Sequence, residues 1–412
     1  MFCLKRSGRS LLGLTALSFV AAGCFDDENS SVLGPRPNDA LFASYVALGN
    51  SITAGYQSGG ISDATQRQSY AFLLAQQMGT RFAYPSLNNP GCPPPIVNFQ
   101  TQARPTGTTG TTCALRGQVT DILNNVAVPG ASSFDPTDAD GTPFSNTLTS
   151  FILGGKSQVQ RALEAQPTFV SIGIIGNDYL SFAVQNGRTS ALAGITPVAT
   201  FSANYDLMLD QLLAGAPGLS GIILGNVLPT NVPILFPASA LTNAAFKAGF
   251  DAVAGTATTL DPSCLPGGAG ETSLINTFLA FQIRTGAHPP IVACVPGGAS
   301  GAIPAPVGDV LVLHPAEQTT INTIVAGYNA YLQAKAENIG FAYYDPNTIL
   351  TTLKAAGTLI RSTPNYGSAT APFGTGMSLD GVHPGLAVHR EIANALIAAI
   401  NAEYGTTLQP LP

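Results

Sequence analysis

Short apolar runs alternate with longer amphipathic segments along most of this 412-residue chain. The apolar runs predict strands at 45–48, 126–128, 169–175, 221–227 and 341–344. The amphipathic segments predict helices at 70–78, 156–165, 205–214, 317–338 and 387–404. Strands that are separated by helices pair in parallel, and the helices cover both faces of the sheet. The pattern therefore predicts an α/β fold, a three-layer α/β/α sandwich around a mainly parallel five-stranded sheet.

Two regions interrupt this alternation. Residues 88–120 contain "GCPPP" and "TGTTGTT", and residues 235–312 are rich in Gly, Ala and Pro. Because glycine and proline break regular helices and strands, each region is interpreted as a long loop or subdomain insertion. Both insertions are placed in a single domain that spans residues 41–405.

The first 23 residues have the composition of a targeting segment. Three basic residues precede a mostly apolar stretch at 11–22, which is shorter than the roughly 20 residues of a membrane-spanning helix. The stretch ends in "VAAGC", which resembles a bacterial lipobox with Ala21 where leucine is usual. We therefore expect an exported lipoprotein, anchored through acylated Cys24 to the periplasmic or cell-surface side of the outer membrane. Plain secretion and an uncleaved anchor are the alternatives, and residues 24–40 are expected to form a flexible tether.

The charge of the chain argues against a nucleic-acid partner. Charged residues are only 10 % of the sequence, and the formal net charge is −6. No block of basic residues follows the leader. Since affinity for nucleic acid depends on Lys and Arg that neutralise phosphates, we expect no nucleic-acid partner.

The cysteines of the mature chain are even in number. Cys3 lies in the leader and Cys24 is the expected lipidation site, which leaves four cysteines, Cys92, Cys113, Cys264 and Cys294. An even number in an exported chain predicts two disulfides. Pairing of neighbours, 92–113 and 264–294, is one of the three possible connectivities. A metal site is the competing interpretation of these cysteines. Because the sequence has no C-x-x-C or H-E-x-x-H spacing, no metal site is expected.

Polar residues follow the ends of the predicted strands. "NS" follows the first strand, "PGAS" the second and "GND" the third, while "SLDGVHPG" precedes the last helix. Because the carboxyl ends of parallel strands meet at one edge of a sheet, these residues are expected to converge. A serine, a glycine amide, an asparagine amide and an Asp/His pair are the components of serine acyl transfer.

These segments resemble, in order, the four sequence blocks of the SGNH hydrolases, also called the GDSL esterase/lipase family. The blocks are "GNSITAG" at 49–55, "NVAVPGAS" at 125–132, "GND" at 176–178 and "DGVHPG" at 380–385. The resemblance covers roughly residues 43–402 and implies the flavodoxin-like fold of that family. Two blocks depart from the pattern: Asn50 and Ile52 replace the usual aspartate and leucine, and Ile175 occupies a glycine position.

The resemblance implies a role for each site residue. Ser51 would be the nucleophile, His383 the general base and Asp380 the residue that orients the histidine. The oxyanion would be bound by the amides of Ser51 and Gly130 and by the side chain of Asn177.

Three of these residues also have a simpler, structural interpretation. Ser51 could be a helix cap, Gly130 a turn glycine and Asp380 a helix or turn cap. Asp178 is interpreted as a helix cap and His389 as a structural residue.

The expected function is hydrolysis of carboxylic esters through an acyl-enzyme, without a metal or organic cofactor. The expected substrate is a small acyl ester, an acylated glycan or a lipid. A non-catalytic surface protein that uses the same fold for binding is the rival class. An acyl transferase with the same three catalytic residues is a third possibility.

Overall fold

The computed structural model describes residues 39–115, 122–138, 147–184, 194–301 and 311–412. The expected leader, Cys24 and nearly all of the expected tether lie outside these residues. Among the residues described, no helix is both long enough and apolar enough to cross a membrane.

The regular elements are numbered here in chain order. The strands are β1 (Tyr45–Gly49), β2 (Phe169–Gly173), β3 (Ser220–Leu224), β4 (Leu235–Pro237), β5 (Thr259–Leu260), β6 (Leu274–Asn276), β7 (Ile291–Val292), β8 (Val312–Leu313) and β9 (Ala342–Tyr344). The helices are α1 (Ser51–Ala54), α2 (Asp63–Gln66), α3 (Tyr70–Met78), α4 (Thr147–Leu153), α5 (Gln158–Glu164), α6 (Leu180–Val184), α7 (Val198–Gly215), α8 (Ala244–Ala254), α9 (Leu279–Arg284), α10 (Pro315–Ile339), α11 (Pro346–Ala356) and α12 (Leu386–Tyr404).

The central sheet has the order β1-β2-β3-β9, and every neighbouring pair is parallel. The predicted fifth strand lies along the other edge of β1. There, the amide of Ala47 donates to the carbonyl of Asn124 at 2.7 Å, and the amide of Val126 donates back to Ala47 at 2.9 Å. Only one bridge, between Ala47 and Asn125, has regular ladder geometry. The sheet is therefore four regular strands with an irregular fifth edge, in the flavodoxin-like spatial order 2-1-3-4-5.

Alternate side chains of the central strands enter two separate cores. Tyr45 and Ala47 pack in one core with α3 and α12. Val46 and Leu48 pack in the other core with α5, α7 and α10. All four side chains are fully buried. Helices on both faces explain why the strands read as continuous apolar runs, and the predicted α/β sandwich is confirmed.

Helix starts account for the largest differences from the predicted helices. Helix α7 begins at Val198, directly after Pro197, rather than at 205. Helix α10 begins at Pro315, and proline fits the first position of a helix because the amide it lacks would be unpaired there. In α7 the buried apolar stripe already includes Phe201, four residues before Tyr205, so the prediction placed the start of this helix too late.

The first insertion is an irregular segment in its described part. Cys92 and Cys113 form a disulfide that closes it. Phe99 is fully buried and packs edge-on against Phe281, with ring centroids 5.2 Å apart. The first insertion is therefore anchored on the second.

The second insertion is a folded subdomain rather than a long loop. Strands β4, β6 and β8 form a small antiparallel sheet, and β5 pairs in parallel with β7. Helices α8 and α9 also belong to this subdomain, and a disulfide joins Cys264 to Cys294. Strands of two or three residues are too short to produce a visible alternation, which is why the sequence pattern missed them.

Candidate active site

Ser51 begins helix α1 immediately after β1 ends. Asn50 caps this helix, because its Oδ1 accepts a hydrogen bond from the amide of Ile52 at 3.3 Å. The turn requires Gly49, since a Cβ at this position would lie 2.1 Å from the hydroxyl of Thr53. The serine is thus the first helical residue and not the cap, and its hydroxyl is free to face another group.

Ser51, His383 and Asp380 form a hydrogen-bonded chain. The hydroxyl oxygen of Ser51 lies 2.8 Å from Nε2 of His383. The other ring nitrogen of His383, Nδ1, lies 2.8 Å from Oδ2 of Asp380. A proton on Nδ1 would be held by the carboxylate, leaving Nε2 to accept the proton of the serine hydroxyl. The structure brings together the three residues that the sequence singled out.

Asp380 is held as a carboxylate by several donors. Its Oδ1 accepts hydrogen bonds from the hydroxyl of Ser378 and the amides of Val382 and His383, while Oδ2 accepts one from the amide of Gly59 at 2.8 Å. Burial alone would raise the pKa of Asp380, but the charge and hydrogen bonds of His383 outweigh it. The pKa therefore lies well below its usual range, and the carboxylate stays ionised.

The three expected oxyanion donors border one cavity. Ser51, Gly130 and Asn177 all line a cavity of about 580 Å³ that also contains His383. Gly130 has a φ of 92°, a left-handed conformation that favours glycine. Asn177 donates one N–H to the carbonyl of Ala131 at 2.8 Å, which leaves the second N–H of its amide for another acceptor.

Two buried carboxylates hold the loop that carries Gly130. Asp135 accepts hydrogen bonds from the amide and hydroxyl of Ser132, at 2.7 and 2.8 Å. Asp178 accepts from the amide and hydroxyl of Ser133, at 2.9 and 2.6 Å. Burial raises the pKa of Asp135 to about 6 and raises the pKa of Asp178 as well. The side chain of Asp178, which the sequence analysis interprets as a helix cap, ties the asparagine block to the segment that directly follows the glycine block.

The turn that precedes helix α2 reaches the carboxylate of Asp380. Gly59 donates its amide to Asp380, and Arg104 of the first insertion donates to the carbonyl of Gly59 at 3.1 Å. The ring of Tyr56 lies 5.0 Å from the ring of His383, and burial together with the charge of Asp380 raises the pKa of Tyr56 to about 12. Neither Arg104 nor Tyr56 belongs to any of the four sequence blocks, so sequence reasoning missed both.

The first insertion and the central domain both contribute to the lining of the cavity. The first insertion supplies one wall, with Pro93, Thr111 and the Cys92–Cys113 bridge. The other apolar residues that line the cavity include Ile52, Ile175, Leu180 and Val382. The lining therefore combines many apolar side chains with a few hydroxyl and amide groups.

The remaining histidines do not line this cavity. Nδ1 of His389 accepts a hydrogen bond from the amide of Tyr70 at 3.1 Å, and burial lowers the pKa of His389 to about 3. Nδ1 of His288 and of His314 lie within hydrogen-bond distance of backbone carbonyls. In the described ranges, no group of three or more His, Cys, Asp or Glu side chains has a geometry that could hold a metal ion.

Comparison with known proteins identifies a family. A family model described as GDSL-like Lipase/Acylhydrolase matches residues 45–396. A search of curated proteins found no match.

Solved structures that are similar to this chain include a lipase, a phospholipase and a carbohydrate esterase. One is a putative GDSL-like lipase from Parabacteroides merdae, at 12 % identity and a TM-score of 0.36, covering 87 % of this chain and 94 % of that one. Another is phospholipase A1 from Streptomyces albidoflavus, at 17 % identity and a TM-score of 0.36, covering 88 % and 99 %. The third is a family two carbohydrate esterase from Clostridium thermocellum, at 11 % identity and a TM-score of 0.38, covering 90 % and 66 %.

Proposed function

Because the chain belongs to the GDSL-like lipase/acylhydrolase family, we propose that it hydrolyses carboxylic esters through an acyl-enzyme on Ser51. The observation that carries this proposal is the chain of hydrogen bonds from Ser51 through His383 to Asp380, with 2.8 Å at each step. The hydroxyl that would react opens into a cavity large enough for a small substrate.

In the acylation step, Oγ of Ser51 attacks the carbonyl carbon of the ester while its proton moves to Nε2 of His383. The imidazolium that forms is stabilised by the ionised carboxylate of Asp380. The proton then passes to the alkoxide oxygen of the leaving alcohol as the ester C–O bond breaks. Serine is left acylated, and the histidine is neutral again.

In the deacylation step, water replaces the alcohol. His383 accepts a proton from the water as its oxygen attacks the acyl carbon, and then returns the proton to Ser51 as the acid departs. In both steps the negative charge on the carbonyl oxygen would be bound by the amides of Ser51 and Gly130 and by the free N–H of Asn177. The buried carboxylates of Asp135 and Asp178 hold the Gly130 loop in place for this task.

The proposed substrates are small acyl esters, acylated glycans or lipids. The apolar side of the cavity suits the acyl group, and the wall formed by the first insertion suits a more polar alcohol part.

Replacement of the nucleophile tests the proposal. Ser51→Ala should fold normally and lose on the order of 10⁴ to 10⁶ in turnover of p-nitrophenyl esters, because no hydroxyl remains to be acylated. A fluorophosphonate should label the wild type at Ser51 and leave the variant unlabelled. Ser239→Ala, at an exposed serine outside the cavity, is the matched control and should keep full activity. A Ser51→Ala enzyme that retains a tenth of the wild-type rate would remove Ser51 from this role.

A further inference from the structure

A second, inner cavity adjoins the active-site cavity. Its volume is about 50 Å³. Ile52, Ile175, Leu180 and Val382 line both cavities, so these four side chains form the boundary between them. Ile52, one of the four, directly follows Ser51 in the sequence, and both residues line the active-site cavity.

The inner cavity offers little to a polar ligand. Beyond the boundary, most of its lining is apolar and includes Val232, Leu350 and Ile392. The hydroxyls of the tyrosines in its wall already have partners, since Tyr179 donates to the carbonyl of Val227 and Tyr70 shares a hydrogen bond with Thr53. An occupant of this cavity therefore gains by burial of apolar surface rather than by hydrogen bonds.

We propose that the inner cavity receives the end of the substrate's acyl chain while the ester carbonyl lies at Ser51. The inference rests on the proposed esterase function and adds the substrate class. A water-sized group needs about 10–15 Å³ of such space, so the cavity of about 50 Å³ holds roughly three to five methylene-sized groups. Because further carbons of the chain would lie between Ser51 and the boundary, this favours acyl chains of medium length over acetate.

Ile175 is one of the four residues that separate the two cavities. It occupies the position where the family's block has glycine, and its side chain is 7 % exposed and borders both cavities. A glycine at this position would leave the space of the isoleucine side chain open. The departure from the family pattern therefore shapes the entrance to the acyl-chain cavity.

Leu350 provides the test, because it lines the inner cavity and not the active-site cavity. The readout is kcat/KM for p-nitrophenyl esters from acetate to dodecanoate. Each methylene that enters the inner cavity should raise kcat/KM of the wild type about fourfold, until the cavity is full. Leu350→Phe fills the cavity and should lower kcat/KM for the octanoate at least tenfold while acetate hydrolysis stays within twofold. Leu350→Ala enlarges the cavity and should move the best substrate toward longer chains.

Leu353→Phe is the matched control, since Leu353 lies on the same helix but does not line the cavity. It should leave the chain-length profile unchanged. Acetate hydrolysis by each variant reports that its active site has folded. If both Leu350 variants hydrolyse acetate normally and keep the wild-type ratio of octanoate to acetate, the acyl-chain assignment is overturned while the esterase function stands. A wild type that hydrolyses no ester and takes no fluorophosphonate label would overturn both.

Discussion

At the scale of single residues, Asn50 does two things that leave Ser51 free to react. Its Oδ1 caps helix α1, and its Nδ2 donates to the carbonyl of Ile175 at 2.7 Å. The second bond joins the turn that carries the serine to the segment that carries Asn177. An aspartate, which is usual at this position in the family, has no donor for the Ile175 carbonyl.

Asn50→Asp should therefore destabilise this protein, although it restores the family's usual residue. Asn50 is fully buried, so the change leaves the Ile175 carbonyl without its donor and places a carboxylate beside it. We expect a loss of about 1–3 kcal/mol in the free energy of unfolding, measured by urea denaturation at pH 7.

A surface asparagine supplies the control. Oδ1 of Asn98 accepts a hydrogen bond from the amide of Thr101 at 3.0 Å, a role that aspartate also performs. Asn98→Asp should change the stability by less than about 0.5 kcal/mol. Equal stability of the wild type and Asn50→Asp would show that the bond to Ile175 contributes nothing.

The sequence predicted the residues to which the proposed reaction assigns a direct role. Ser51, Gly130 and Asn177 each follow a segment of the sheet within a few positions, so strand order alone predicts that they meet. Gly59 and Asp380 are 321 positions apart, and nothing local to either residue indicates that an amide of one binds the carboxylate of the other. Contacts of this kind depend on the packed fold and cannot be read from a local pattern.

At the scale of elements, the two insertions differ in what their disulfides control. The Cys92–Cys113 bridge lies in the wall of the active-site cavity, whereas the Cys264–Cys294 bridge lies within the second subdomain. The insertions also touch: the guanidinium of Arg284 donates to the carbonyl of Gln100 at 2.6 Å. They are therefore not two independent loops, which the sequence could not reveal.

Removal of either disulfide should lower the stability of the protein, but only removal of the Cys92–Cys113 bridge should change its ester kinetics. The chain-entropy model gives each bridge roughly 3 kcal/mol, because the loops that the two bridges close are of similar length. A Cys264→Ser/Cys294→Ser double variant should lose thermal stability and keep its kcat and KM. A Cys92→Ser/Cys113→Ser double variant should also raise KM for bulky esters, because it loosens a wall of the cavity.

Thermal melts and ester kinetics on both double variants make the comparison, with p-nitrophenyl acetate as the substrate that needs least of the cavity. Each double variant serves as the control for the other. Identical kinetic changes in the two would contradict a specific role of the first bridge at the active site.

Element prediction succeeded where periodicity is long enough to be seen. Strands β2 and β3 and helices α3 and α12 lie within a few residues of their predicted bounds, because each presents an extended apolar run or a long apolar stripe. Strands β4 to β8 have only two or three residues each and depend on tertiary pairing. The subdomain that they form was consequently visible only as a break in the pattern.

At the scale of the whole molecule, we propose that the folded body is attached to a membrane through acylated Cys24. The small-residue run before this cysteine and the polar segment after it motivate the proposal. Cys24→Ser should move the protein from the membrane fraction to the soluble fraction, because the variant lacks the thiol that would be acylated. Stable anchoring requires more than one buried acyl chain, so the variant has too few to stay bound. Esterase activity per mole of protein should not change.

Cell fractionation followed by an ester assay makes this measurement. Cys3→Ser is the control, because Cys3 lies in the expected leader and its loss should leave the protein on the membrane. A Cys24→Ser protein that still sediments with membranes after a salt wash would place the anchor elsewhere.

The bridge between Cys92 and Cys113 also decides what a protease could do to this molecule. Much of the chain between the two cysteines is exposed, including Thr101, Ala103 and Gly107, and exposed loops are preferred sites of proteolytic cleavage. A single cut there would leave both new ends covalently joined through the bridge, with Phe99 still buried against the second subdomain. The nicked protein would keep this wall of the cavity beside Ser51, and only reduction after cleavage would release the two ends from each other.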